Sequence, residues 1–150
     1  MFSINCVNLI KLFEGLRINP YRDATGIPTI GYGLTYYSTG ARVTMSDPPV
    51  NELKASQELL WHLNKNEAPN LTKLLKVELN QNQIDALGSL IYNIGSGNFA
   101  KSSLLKGINS NLSQDKLKPL WLEWNKANGK TFDGLTRRRE SEWNLYIKPL

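Results

Sequence analysis

Residues 14–35 read EGLRINPYRDATGIPTIGYGLT, and this stretch sets one carboxylate at a helix end and another at a hairpin. Just before and within it, Leu9, Leu12, Phe13 and Leu16 recur at three- and four-residue spacing, which predicts a helix over roughly Val7 to Leu16. Gly15 weakens that helix. Glu14 falls in its last turn, where the negative end of the helix dipole favours the protonated form that a general acid needs. Asp23 follows Asn19-Pro20. The turn signal Ala24-Thr25-Gly26 comes next, and then Ile27-Pro28-Thr29-Ile30, alternating apolar with polar. This pattern predicts a β-hairpin with Asp23 at the end of its first strand and Thr29 on its second.

A helix-end acid facing a hairpin carboxylate is the layout used in glycoside hydrolysis. One group protonates the leaving oxygen while the other handles water or the sugar cation. Thr29 offers a hydroxyl that can hold such a water. Any single Glu and Asp are far more often two solvated surface charges, so the reading depends on what surrounds them.

Bulk properties fit a single domain. The chain has 150 residues, 41% hydrophobic and 21% charged, enough to bury a real interior. It has no apolar run long enough to span a membrane. The start, Met-Phe-Ser-Ile-Asn-Cys, lacks a basic region followed by an unbroken apolar core, so no secretory signal is expected. The one cysteine, Cys6, has no internal partner, which suits a reducing cytoplasm, and in an apolar helical segment it is expected to be a small core residue. The net charge of +5 comes from residues 101–150, which carry ten basic and five acidic side chains. A basic surface suits a polyanion such as a bacterial wall polymer. The densest run, Arg137-Arg138-Arg139, is expected to be a solvated helix face near Glu140 and Glu142. No nucleic-acid-binding signature accompanies it.

Asp47-Pro48-Pro49 is the one plausible lobe boundary. Ahead of it, the Ser38-Thr39-Gly40 turn predicts a third short strand near Arg42-Val43-Thr44. After it the reading is helical. One helix is expected over Asn51 to Asn66, ended by Pro69, and a short one over about Leu71 to Leu75. A central helix runs from Asn80 through Ile94, apolar enough to be buried on most sides, with Gly95 as its cap. Further helices open at Ser102-Ser103 and at Ser113, the latter with Pro119 inside its pattern. Asn128-Gly129 and Asp133-Gly134 bracket a loop, and a last helix runs from Leu135 to about Tyr146. The fold class is α+β. A small β lobe at about 17–48 carries a hairpin or three-stranded sheet, and 1–16 with 49–150 form a larger, all-helical lobe. Trp121 and Trp124, at i,i+3 beside leucines, are expected in the core. His62 has no second ligand at metal-binding spacing and is expected at the surface, and no cofactor is required.

The 14–35 stretch resembles the phage-type lysozyme, or endolysin, family. The resemblance is carried by Phe13-Glu14-Gly15-Leu16-Arg17, Tyr21-Arg22-Asp23 and Gly26-Ile27-Pro28-Thr29-Ile30-Gly31-Tyr32-Gly33. It continues through Leu79-Asn80-Gln81-Asn82-Gln83, Tyr92-Asn93-Ile94-Gly95, Trp124-Asn125-Lys126 and Gly134-Leu135-Thr136-Arg137-Arg138-Arg139-Glu140, covering essentially the whole chain. The spacing of Glu14, Asp23 and Thr29 matches the family's acid, carboxylate and threonine. Many members carry His where this chain has Leu34, so any ion pair that His makes is absent here.

The resemblance implies a lysozyme-like fold and a muramidase that cuts the β-1,4 bond between N-acetylmuramic acid and N-acetylglucosamine, with inversion. It implies substrate contacts at Thr35, Tyr92 and Ser103, and Asn93 beside Tyr92 is expected on the same polar edge of the cleft. It also implies a monomer made in the host cytoplasm, released to the peptidoglycan with the help of a holin-type membrane partner. Two other readings stand against it. A lytic transglycosylase would cut the same bond without water and leave a 1,6-anhydro end, but such enzymes typically manage with one acid. A non-catalytic cationic protein would act on wall or membrane through the basic C-terminal third.

Overall fold

The computed structural model describes residues 1–150. It opens with α1 (Ile4–Lys11), capped by the Ser3 hydroxyl, which accepts from the Asn5 N–H. The buried stripe of α1, Cys6, Val7, Leu9 and Ile10, is complete at Ile10, and Leu12 points outward at 73% exposure. The helix therefore starts and stops earlier than its apolar spacing predicts. Glu14 lies in the turn beyond its end, where its N–H reaches the Ile10 carbonyl at 3.0 Å.

β1 (Arg17–Arg22) and β2 (Pro28–Gly31) form the expected antiparallel hairpin, with Tyr21 opposite Thr29 and Arg22 opposite Pro28. Gly26 supplies the positive φ of +85° that its turn requires. The expected third strand is reduced to a single bridge between Tyr36 and Arg42. Thr44 leaves the pairing because Asp47 captures it, taking its N–H at 3.0 Å and its hydroxyl at 2.6 Å.

The helical lobe begins with α2 (Glu52–His62), capped by Asn51. It runs directly into a π-helical turn, Leu63–Glu67, and then α3 (Ala68–Leu74). Pro69 does not end the first helix as expected. It sits in the first turn of α3, where its missing N–H costs nothing.

The central helix α4 (Gln81–Ile94) has a capping box between Asn80 and Gln83, and Gly95 closes it at φ +88°. Ala86, Leu87 and Leu90 are fully buried among α1 and the later helices. Next come α5 (Ser96–Ala100), α6 (Ser103–Asn109) and α7 (Gln114–Leu122), which carries Pro119 in its interior. The expected loop around Asn128-Gly129 is a tight hairpin of β3 (Lys126–Ala127) and β4 (Lys130–Thr131). Both turn residues have positive φ, as such two-residue turns require. The larger lobe is thus helical apart from this hairpin. It closes with α8 (Asp133–Ile147), which packs along α4. Trp121 of α7 meets Trp143 and Tyr146 of α8 at ring separations of 5.8 and 5.0 Å. Trp124 packs against the same core, partly buried.

Candidate active site

Glu14 is joined to the far end of the chain. Its Oε1 accepts from Arg138 Nη1 at 2.9 Å, and its side chain stays 34% exposed while that of Arg138 is 4% exposed. Arg138 is held in turn by Glu142 and by the Ser89 carbonyl, through Nε at 3.3 Å and Nη2 at 3.2 Å. Glu142 is wholly buried. Its carboxylate also accepts from the Ser89 hydroxyl at 2.6 Å, the Trp121 indole at 3.2 Å and Arg139 Nη2 at 2.9 Å. Arg139, itself fully buried, donates further to the Trp124 carbonyl at 3.2 Å.

The arginine run is therefore not a solvated face. Only Arg137 is exposed, while Arg138, Arg139 and Glu142 lie on the buried stripe of α8 with Trp143 and Tyr146. Buried charges persist when they are paired and hydrogen-bonded. Here the Glu142 carboxylate holds both guanidinium groups from inside, and the Glu14 carboxyl meets Arg138 at the surface end of the cluster. The charge nearest Glu14 is thus a fixed guanidinium. The helix-end dipole inferred from the sequence is displaced, since Glu14 lies past the last turn.

Asp23 closes the hairpin. Its Oδ1 accepts from the Thr25 N–H at 2.8 Å, the Thr25 hydroxyl at 2.8 Å and the Ile27 N–H at 3.0 Å. The Ile27 amide and then Thr25 hold this carboxyl below the usual aspartate range. All of these bonds fall on one oxygen, so Oδ2 has no protein partner. Thr29 is 3% exposed and donates its hydroxyl to the Ile27 carbonyl at 2.8 Å. Its hydrogen is committed, and Oγ1 retains lone pairs that can accept.

Tyr92 is in the last turn of α4, with its hydroxyl donated to the Tyr32 carbonyl. Burial pushes its phenol up to about 12, and the charges of Glu14 and Arg138 are close enough to bear on it. Tyr92 and Thr35 both line a cavity of about 120 Å³ between the hairpin lobe and α2. Glu14, Asp23 and Thr29 lie outside that cavity. Asn93 and Ser103 are exposed, Ser103 at the first position of α6, and neither reaches the cavity.

His62 is not a bare surface residue. Its Nε2 lies 2.8 Å from the Tyr36 carbonyl, and its ring packs edge-on against Tyr36 and Trp61. Sequence reasoning missed Arg138 as a neighbour of Glu14. The signal was the i,i+4 and i,i+3 spacing of Arg138 and Arg139 from Glu142 on a face shared with Trp143 and Tyr146.

The phage lysozyme family model matches residues 11–142. The chain is 40% identical over 145 residues to the endolysin of Salmonella phage P22, with 97% of each covered. It is 38% identical over 146 residues to the endolysin of Bacillus phage B103, where the match takes in 94% of this chain but spans only 52% of that longer protein. Among solved structures, a P22 lysozyme point mutant superimposes with a TM-score of 0.86 at 38% identity, covering 99% of both chains. The muramidase domain of SpmX from Asticaccaulis excentricus gives 0.79 at 33% identity, again covering 99% of both. Fold, motif and whole-length similarity agree, and the chain belongs to the phage lysozyme family.

Proposed function

We propose that this chain is a peptidoglycan-degrading endolysin that hydrolyses the β-1,4 bond between N-acetylmuramic acid and N-acetylglucosamine. Glu14 donates a proton to the bridging oxygen as the bond from the muramic acid C1 breaks. A water on the opposite face of the ring adds to C1 and loses its proton towards Asp23, which inverts the configuration. One observation carries this reading: Asp23 Oδ2 has no partner, and Thr29 Oγ1 has already given its hydrogen to Ile27. Both are then acceptors. A water that donates one hydrogen to each keeps a lone pair for the sugar carbon. Asp23 is held ionised by its amide contacts, which suits the base.

Thr35, Tyr92, Asn93 and Ser103 are the proposed substrate contacts, with Thr35 and Tyr92 on the cavity and the other two on the open edge of the helical lobe. The basic residues outside the buried cluster help hold the anionic wall. The protein acts as a monomer, accumulates in the host cytoplasm and reaches the wall through a holin-type membrane lesion. Replacing Glu14 with Gln keeps the shape and removes the proton. Clearance of purified walls should then fall by roughly 10²–10⁴-fold with the fold retained, and near-normal clearance would overturn the assignment.

A further inference from the structure

A second hollow lies between the 37–49 loop and the start of α2. It measures about 530 Å³, within the range of sites that take a whole small ligand. Val50 lines both this hollow and the interlobe cavity, so the two adjoin. Its walls carry two opposite charges that do not neutralise each other. Asp47 is one of them. Its Oδ2 accepts from the Tyr37 hydroxyl at 2.7 Å and the Thr44 N–H at 3.0 Å, and its Oδ1 accepts from the Thr44 hydroxyl at 2.6 Å. Thr44 and then Tyr37 hold this carboxyl below the usual aspartate range, so it is ionised near neutral pH. All of these donors are neutral, and Oδ1 keeps room for another. Arg42 is the other charge. It is exposed, and its guanidinium forms no hydrogen bond or ion pair within the protein. Lys54, also on the wall, is matched by Glu58 at 3.1 Å. Asn51 caps α2 through Oδ1, which accepts from the Lys54 N–H, and its Nδ2 makes no hydrogen bond within the protein. Pro48, Pro49 and Val50 add an apolar wall.

A free guanidinium, an ionised carboxylate and an apolar wall are the complement of an α-amino-acid zwitterion carried on a short aliphatic chain. A guanidinium grips a carboxylate through two parallel N–H bonds, and an aspartate accepts from an ammonium. A wall stem peptide that contains diaminopimelate ends in such a group when it is not cross-linked, with amine and carboxylate on one carbon at the tip of a methylene chain. We propose that this hollow binds the free zwitterionic end of a diaminopimelate stem peptide. Arg42, with Asn51 Nδ2, takes the carboxylate, and Asp47 Oδ1 takes the ammonium. The methylene chain rests on Pro48, Pro49 and Val50. The cavity lined by Thr35 and Tyr92 adjoins the hollow at Val50, so a stem bound here keeps the wall beside the cleft. The inference rests on the peptidoglycan-degrading reading and adds to it a hold on the peptide, apart from the groups that meet the glycan.

The test uses binding, so that it can fail separately from the enzymatic reading. The intact protein is titrated with the tripeptide L-Ala-γ-D-Glu-meso-diaminopimelate and with the analogue that ends in L-Lys, which keeps the distal ammonium and lacks the carboxylate beside it. Backbone amide shifts of Ala41, Arg42 and Asn51 report occupancy. The diaminopimelate peptide should bind at least about tenfold tighter. Arg42→Gln should lower it to the affinity of the Lys analogue and leave the analogue unchanged, and Arg42→Lys should restore part of the preference. Asp47→Asn should weaken both peptides alike, since both carry the ammonium. The Arg42 guanidinium holds nothing within the fold, so Arg42→Gln tests the site even where thermal melts show that Asp47→Asn has loosened the loop. Equal affinity for the two peptides would overturn the site, as would an unchanged preference in Arg42→Gln, or absence of binding. Wall clearance by the wild-type protein answers the separate question of catalysis.

Discussion

Arg138 Nη1 lies 2.9 Å from Glu14 Oε1, and this ion pair ties the last helix to the turn that follows the first. The two residues are 124 positions apart. Arg138 is also fixed by Glu142, so Glu14 is oriented by a buried network that reaches through Ser89 to the central helix.

Removing the guanidinium should therefore cost both stability and activity. Arg138→Met leaves Glu14 without its anchor and takes one cation from a buried set. We expect a loss of about 3–5 kcal/mol in urea unfolding at neutral pH, as for other broken buried pairs, together with a fall in wall clearance. Arg138→Lys should rescue little, because one ammonium cannot span Glu14, Glu142 and the Ser89 carbonyl as a planar fork does. Full stability in both variants would show that the network is dispensable.

Asp23 predicts an acid limb in the stability profile. Its folded-state ionisation is lowered by the Ile27 and Thr25 contacts. A carboxyl whose pKa is depressed on folding stabilises the protein above its unfolded value of about 3.9, and that contribution disappears as pH falls through the folded value. Thermal melts from pH 5 down to pH 2 should show this loss in the wild type and a shallower slope in Asp23→Asn. An identical slope in the two proteins would contradict the assignment.

Packing at the α1–α4 contact predicts a steric effect. A Cβ added at Gly88 would sit 2.5 Å from Cys6 Sγ and 2.7 Å from the Phe2 ring. Gly88→Ala should destabilise by roughly 1–3 kcal/mol through overpacking, and Gly88→Ala combined with Cys6→Ala should recover part of it. The Cys6 thiol is buried and its ionisation is pushed up by that burial. A thiol reagent should accordingly label it only on unfolding, and reductant should leave activity unchanged.

The hairpin was legible because the Ala24-Thr25-Gly26 turn signal and the alternation of Ile27-Pro28-Thr29-Ile30 agree on it. The central helix was legible from its apolar circumference and its Asn80–Gln83 cap. The α8 network was hidden because three consecutive arginines resemble a solvated surface, and pairing across 124 residues leaves no local mark. The π-helical turn was equally hidden. Pro69 carries a helix-ending signal in isolation, and only the continuation of α2 into α3 shows it to be a first-turn proline.

Thr29 separates the two ways of cutting the bond. Thr29→Val removes the acceptor for water and leaves Glu14 in place, so hydrolysis should fall while the fold persists. Thr29→Glu sets a carboxylate where the water would sit. It should trap a covalent glycosyl adduct or turn the reaction towards retention, detectable as a mass increase on the intact protein. Wild-type turnover by Thr29→Val would show that its hydroxyl has no part in the reaction.

In the hydrolytic reading, water attacks the sugar carbon. The most direct measurement is mass spectrometry of the muropeptides released from purified walls in ¹⁸O-labelled water. We predict one ¹⁸O in each newly formed reducing end on muramic acid. Unlabelled 1,6-anhydro ends would contradict the hydrolytic mechanism and identify the chain as a transglycosylase.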